Sequence, residues 1–121
     1  MKKVLIIEDD KALQAALNAV LRGAGYQVVS AFDAVMALSV ARKETPDICV
    51  LDIAIPGGDA WLVAERLRAL DNTTGMKLIF MTASKKPGIK ERAAQLGVSA
   101  FLEKPFTPEV LLAAVEAALG E

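Results

Sequence analysis

Val4-Leu5-Ile6-Ile7-Glu8-Asp9-Asp10 decides the fold. Four apolar residues in a row do not alternate as a half-buried strand does. They suit a strand covered on both faces, which is the mark of a parallel sheet. Acidic residues follow at once. The figure recurs along the chain. Ile48-Cys49-Val50-Leu51 runs into Asp52, Leu78-Ile79-Phe80-Met81 into Thr82-Ala83, and a short strand centred on Phe101-Leu102 leads to Lys104-Pro105. Each strand therefore delivers a polar group at its carboxyl end: acid, acid, hydroxyl, amine. In open parallel α/β sheets that edge is where ligands bind.

Between the strands the pattern is helical. Leu13, Ala16, Leu17, Val20 and Leu21 form one apolar stripe, ended by Gly23 and Gly25. A second strand covers about 27–31. The second helix starts near Asp33 and stops before Pro46. After the loop Ile55-Pro56-Gly57-Gly58, Asp59 caps a third helix to about Leu70. Asp71-Asn72-Thr73-Thr74-Gly75 reads as a turn. Pro87 is placed as the first residue of a fourth helix ending at Gly97, and Thr107 caps a fifth, with Pro108 first, that runs to Leu119. Alternating elements and right-handed crossovers favour a doubly wound, five-stranded parallel sheet in the order 2-1-3-4-5. Its switch point, between strands 1 and 3, lies beside Asp9 and Asp52.

Composition narrows the function classes. At 121 residues the chain holds one domain, 1–121, and 54% hydrophobic content excludes a disordered chain. A net charge of −1 draws in neither nucleic acid nor an anionic membrane. No apolar run reaches membrane-spanning length. Met1-Lys2-Lys3 resembles the head of a signal peptide, but the apolar run after it stops at Glu8, about half the usual length. The single cysteine, Cys49, sits mid-strand and reads as a small buried hydrophobe; a reducing, cytoplasmic setting fits.

Glu8, Asp9 and Asp52 brought together would repel one another, and a hard cation with oxygen ligands relieves that repulsion. Mg²⁺ suits one or two carboxylates plus phosphate oxygens. Asp52 would remain ionised and able to attack phosphorus. Lys104 offers a point charge to the equatorial oxygens, and Thr82 a hydroxyl. Each residue has a plainer reading: Asp10 is a helix cap, a Thr at a strand end is usually packing, and a Lys before Pro is usually solvated. Their convergence on one sheet edge favours the chemistry.

These segments, with Leu51-Asp52-Ile53-Ala54-Ile55-Pro56-Gly57, Met81-Thr82-Ala83 and Lys104-Pro105-Phe106, resemble a two-component response-regulator receiver domain of the CheY-like, flavodoxin-like (βα)5 type over the whole chain. The resemblance implies that Asp52 accepts a phosphoryl group from a histidine kinase or phosphotransfer protein. It implies Mg²⁺ held by Asp9 and Asp52, by Glu8 through water, and by the backbone carbonyl of Ala54. Thr82, Ala83 and Lys104 would contact the phosphoryl group, and the Lys104-Pro105 peptide would be cis. Thr82 and Phe101 would form the switch. The responding surface would be helix 4, strand 5 and helix 5, which meets a downstream protein and allows a homodimer. The phosphodonor would dock near helix 1 and the Asp52 edge. Phosphorylation and dephosphorylation would be self-catalysed and Mg²⁺-dependent, so this is a signalling phosphoacceptor and not an enzyme with an external substrate.

Departures from the family pattern matter. Ala54 and Ser84 are small where many relatives are larger or polar, which leaves the approach to Asp52 open. Ala60 replaces a common glycine. On helix 5, Leu111, Leu112, Val115 and Leu119 are assigned to the sheet side, leaving Ala113, Ala114, Ala117 and Glu116 outside. Ala114, Glu116 and Glu121 stand where receivers fused to winged-helix domains often carry the basic residues of a dimer seam, so that seam is not expected. The alanines fit either close approach of another helix or simple helix propensity. Trp61 fits either the edge of the core or a contact surface. Lys85, Lys86, Lys90 and Arg92 read as a solvated helix end in preference to an interaction patch.

The alternatives weigh less. A small aspartyl-phosphate phosphatase or phosphotransferase usually has a second acid where Ala54 stands. A flavodoxin-like cofactor binder needs a first loop that accepts phosphate, which Glu8-Asp9-Asp10 would repel. A phosphorylation-independent pseudo-receiver would not need the full residue set. The chain reads as a stand-alone receiver or the receiver of a longer protein; Gly120, a natural helix stop, fits both.

Overall fold

Ile48–Asp52 is buried at every position, as a strand enclosed on both faces must be. The computed structural model describes residues 1–70 and 75–120. Residues 71–74 of the turn assigned to 71–75, and Glu121, lie outside the described residues. In chain order the elements are β1 (Lys3–Ile7), α1 (Lys11–Gly23), β2 (Gln27–Ala31), α2 (Ala34–Glu44) and β3 (Ile48–Asp52). They continue with α3 (Ala60–Ala69), β4 (Lys77–Thr82), α4 (Ile89–Leu96), β5 (Ala100–Glu103) and α5 (Pro108–Leu119). All strand pairs are parallel and the order is β2-β1-β3-β4-β5, as expected from the sequence.

Side-chain alternation divides the interior in two. Leu5, Ile7, Cys49, Leu51, Leu78 and Phe80 pack with residues of α2, α3 and α4. Val4, Ile6, Ile48, Val50, Ile79 and Met81 pack with α1 and α5. A one-residue slip of any strand would exchange these two sets, so the register is fixed by burial on both sides. Register then aligns the functional edge. Ile7 lies opposite Leu51, Asp52 opposite Met81, and Thr82 opposite Glu103. Past the ladder, Glu8 N–H donates to Ala31 O at 3.1 Å, Ile53 N–H to Met81 O at 3.0 Å, and Lys104 N–H to Thr82 O at 2.8 Å.

The helix starts follow the sequence closely, with one exception. Asp10, Asp33, Asp59 and Thr107 each accept a backbone N–H of the first turn of α1, α2, α3 and α5. Each such cap contributes about 1 kcal/mol. Pro87 does not begin α4. The helix starts at Ile89, and Gly88 precedes it at φ 89°, a left-handed conformation that breaks the winding. Pro87 therefore belongs to the β4–α4 connection. Gly58 shows a different constraint: a Cβ there would stand 2.9 Å from the Ala34 Cβ, so the loop after β3 lies tight against the start of α2.

Candidate functional site

β1 ends in a buried carboxylate. Glu8 is 1% exposed and its Oε2 accepts the Asp10 N–H at 3.1 Å, while Asp10 turns away to cap α1. Asp9 is exposed beside it. Asp52 closes β3, with Oδ1 accepting the Ala54 N–H at 3.0 Å. Carboxylate oxygens of Glu8, Asp9 and Asp52 lie within 4.8 Å of one another. Lys104, carried in just after β5, donates Nζ to Glu8 Oε1 at 2.6 Å and to Asp52 Oδ2 at 2.7 Å. Its peptide bond to Pro105 is cis. The buried Thr82 completes the edge, its Oγ1 accepting the Ser84 N–H at 2.9 Å.

The charges do not balance. Three carboxylates face one ammonium, and burial compounds the repulsion. Burial pushes the Glu8 carboxyl above its ordinary range; the Lys104 and Asp10 hydrogen bonds oppose this, and the Asp52 charge adds to it. Burial also works against the charge on Lys104, but the hydrogen bonds and charges of Asp52 and Glu8 outweigh it and raise its pKa. An all-oxygen cluster with excess negative charge fits a hard divalent cation, and the set is too small to enclose one without water or ligand oxygens.

Two features are not visible in the sequence pattern. Gln14 is 3% exposed and sits beneath the end of β1. Its Nε2 lies 3.1 Å from Ile6 O, 3.3 Å from Glu8 O and 3.2 Å from Ala31 O, and Asn18 Nδ2 donates to its Oε1 at 2.9 Å. One signal could have found it: Gln14 is three residues before Leu17, on the same buried stripe. Ala16, assigned to that stripe, is exposed. Trp61 sits at the edge of the core, the first of its two readings. Its ring meets Phe80 edge-on at 5.1 Å between centroids, and the Arg92 guanidinium lies over it at 4.3 Å.

In front of Asp52 the surface opens into a cleft of about 460 Å³, reaching from Ala54, Thr82 and Ser84 to Trp61, Lys86 and Arg92. Phe101 is half-buried and packs against the α2–α3–α4 side of the core. On α5, Leu111 and Val115 are buried, and Leu112 and Leu119 pack partly against the same core. Ala114 does too, which corrects its assignment to the outer face: three helical steps of 100° leave it beside Leu111, and four more bring Ala118 to the same side. The basic residues near α4 are not one patch. Lys85 pairs with Glu103 at 3.1 Å, and Arg92 is taken up by Trp61. Cys49 is buried, and burial pushes its thiol far up.

The response regulator receiver domain model matches residues 4–116, nearly the whole chain. The chain belongs to the response-regulator receiver family. Sporulation initiation phosphotransferase F of Bacillus subtilis is similar at 31% identity, over 95% of this chain and 91% of its own length. The DNA-binding dual master transcriptional regulator RpaA of a Synechocystis species is similar at 34% identity over 98% of this chain, but this receiver spans only 49% of RpaA. It thus covers about half the length of such longer regulators. Among solved structures, the receiver domain of the sensor histidine kinase PA1611 of Pseudomonas aeruginosa PAO1 superposes with a TM-score of 0.88. It is 28% identical, over 99% of this chain and 98% of that one, and is described with a magnesium ion coordinated in its active-site cleft. No helix among the described residues is long and apolar enough to cross a membrane.

Proposed function

We propose that this receiver accepts a phosphoryl group on Asp52 from a histidine kinase or histidine phosphotransfer protein, in the cytoplasm, and signals through α4, β5 and α5 to a protein target. The observation that carries the reading is Lys104 Nζ, held 2.7 Å from Asp52 Oδ2 at the edge where Glu8 and Asp9 converge. The other oxygen, Asp52 Oδ1, accepts the Ala54 N–H.

Asp9 and Asp52 are assigned as direct ligands of Mg²⁺, with Glu8 acting through water and Ala54 through its carbonyl. When bound, the ion offsets the charge of the incoming phosphodonor. An Asp52 carboxylate oxygen forms the new bond to phosphorus as the P–N bond of phosphohistidine breaks, and the imidazole keeps the electron pair. Lys104, the Thr82 hydroxyl and the Ala83 N–H take the phosphoryl oxygens, so charge is stabilised where it develops. Thr82 Oγ1 accepts the Ser84 N–H, which leaves its O–H to donate to the phosphoryl group as Thr82 moves toward it, and Phe101 is assigned to follow it inward. Phosphorylation shifts the α4–β5–α5 surface only by its differential stabilisation of the two states. The protein donor is assigned to α1 and the Asp52 edge, where Leu13, Ala16, Val20, Pro105 and Phe106 line an apolar groove of about 360 Å³.

Intact-mass measurement after incubation with Mg²⁺ and acetyl phosphate tests the chemistry. One added phosphoryl group that requires both Mg²⁺ and Asp52, shown by Asp52→Ala, is expected. Failure of both acetyl phosphate and a beryllofluoride mimic to engage the chain would favour a phosphorylation-independent binding module.

A further inference from the structure

The cleft in front of Asp52 is larger than a phosphoryl group needs, and the charged side chains that line it besides Asp52 are all cationic. Lys86 and Arg92 line it together with Asp52, and Trp61 and Ile89 add apolar lining. Lys104, the remaining cation of the lining, is committed to Glu8 and Asp52. Lys86 and Arg92 form no ion pair with a carboxylate of the described residues. Arg92 is nonetheless placed, because its guanidinium lies 4.3 Å over the Trp61 ring, and Trp61 is itself braced edge-on against the buried Phe80. Ala54 and Ser84, which line the same cleft, are small side chains.

We propose that Arg92, assisted by Lys86, is a specificity-determining residue that recognises the carboxylate leaving group of small acyl-phosphate donors. The inference rests on Asp52 being the phosphoacceptor. In the transfer, an Asp52 oxygen bonds to phosphorus and the P–O bond to the acyl oxygen breaks. That oxygen leaves with the electron pair as a carboxylate, and no proton is required. Attack in line with departure sends the developing negative charge away from Asp52, into the cleft that Arg92 and Lys86 also line. A guanidinium already fixed on a ring face meets it with little ordering cost. A donor whose leaving group departs as a neutral amine gains nothing from Arg92 at that stage.

The test compares acetyl phosphate with phosphoramidate, whose leaving group is ammonia, on the whole chain with Mg²⁺. Transfer is followed by intact mass in the parent, Arg92→Gln, Arg92→Lys and Lys86→Gln proteins. Arg92→Gln is expected to slow acetyl phosphate by roughly threefold to tenfold, the scale of one partly screened charge contact, and phosphoramidate by less than about twofold. Arg92→Lys should recover part of the rate and Lys86→Gln should show a smaller loss. A second readout needs no transfer: in an Asp52→Asn background, acetyl phosphate should change the emission of Trp61, the single tryptophan, and Arg92→Gln should abolish that change. An equal loss with both donors, or no loss with either, overturns the proposal. Beryllofluoride binding without transfer from either donor would also overturn it and leave Asp52 as phosphoacceptor. Failure of beryllofluoride to bind as well would remove the phosphoacceptor reading itself.

Discussion

The Lys104 ammonium stands 2.7 Å from Asp52 Oδ2, so a residue just past β5 neutralises the last residue of β3 across the intervening β4. Lys104→Met would remove the cation that pairs with two buried carboxylates, Glu8 at 1% and Asp52 at 7% side-chain exposure. Unfolding in urea with EDTA should show a loss of about 3 kcal/mol, the usual scale for orphaning a buried charge. Mg²⁺ should restore much of that stability and little of the phosphoryl transfer, which should fall at least about tenfold. Equal stability of the variant and parent in EDTA would show that the ammonium does not hold the site together.

The Glu8 carboxyl gives the receiver a pH signature. Its folded-state pKa is raised, first by burial, so the folded chain binds the proton more tightly than the unfolded chain does. Its contribution to stability is therefore complete below the ordinary value of 4.5 and is lost as pH rises through the folded value. A cation that binds the ionised cluster offsets this loss. The rise in Tm produced by Mg²⁺ should accordingly be present at pH 7 and shrink as pH falls toward 4.5. Thermal melts across that range, with and without Mg²⁺, check it; an increment that stays constant would separate Glu8 from the cation.

Gln14 is predicted to hold the end of β1 in place. Gln14→Leu keeps the approximate volume but leaves the carbonyls of Ile6, Glu8 and Ala31 without their shared amide donor. The cost should be about 2 kcal/mol. Because Glu8 and Asp9 follow directly, Mg²⁺ affinity, read from Trp61 emission, should weaken severalfold. A stability loss with unchanged Mg²⁺ affinity would make Gln14 structural only.

The legible parts of this chain are those in which one residue type has one physical use. Unbroken apolar runs such as Ile48–Leu51 specify strands enclosed on both faces, and aspartates at 10, 33 and 59 mark helix starts. With the strand order known, the strand ends bring Glu8, Asp9, Asp52, Thr82 and Lys104 to one edge. Pro87 misleads because proline suits both a first helical turn and a loop, and Gly88 decides for the loop only through its backbone conformation. Gln14 is hidden by the apolar stripe it shares. The stacking of Arg92 on Trp61 joins residues of α3 and α4 that no local pattern relates.

If Asp52 is the phosphoacceptor proposed above, access to it should set the lifetime of the phosphoryl group. Ala54 and Ser84 line the cleft beside it, and neither side chain is long enough to close the approach. Water that reaches an aspartyl phosphate hydrolyses it, so excluding water should lengthen its life. Ala54→Met and Ser84→Glu should each extend the phosphorylated half-life severalfold, followed by intact mass after removal of the donor. The pair separates two causes. The methionine variant acts by bulk alone, because it adds no charge, whereas the glutamate variant adds both bulk and a negative charge beside the phosphoryl group. Comparable lengthening in both variants means that access governs hydrolysis. Lengthening in Ser84→Glu alone would assign the effect to charge, and a parent half-life already longer than either would refute the open-cleft account.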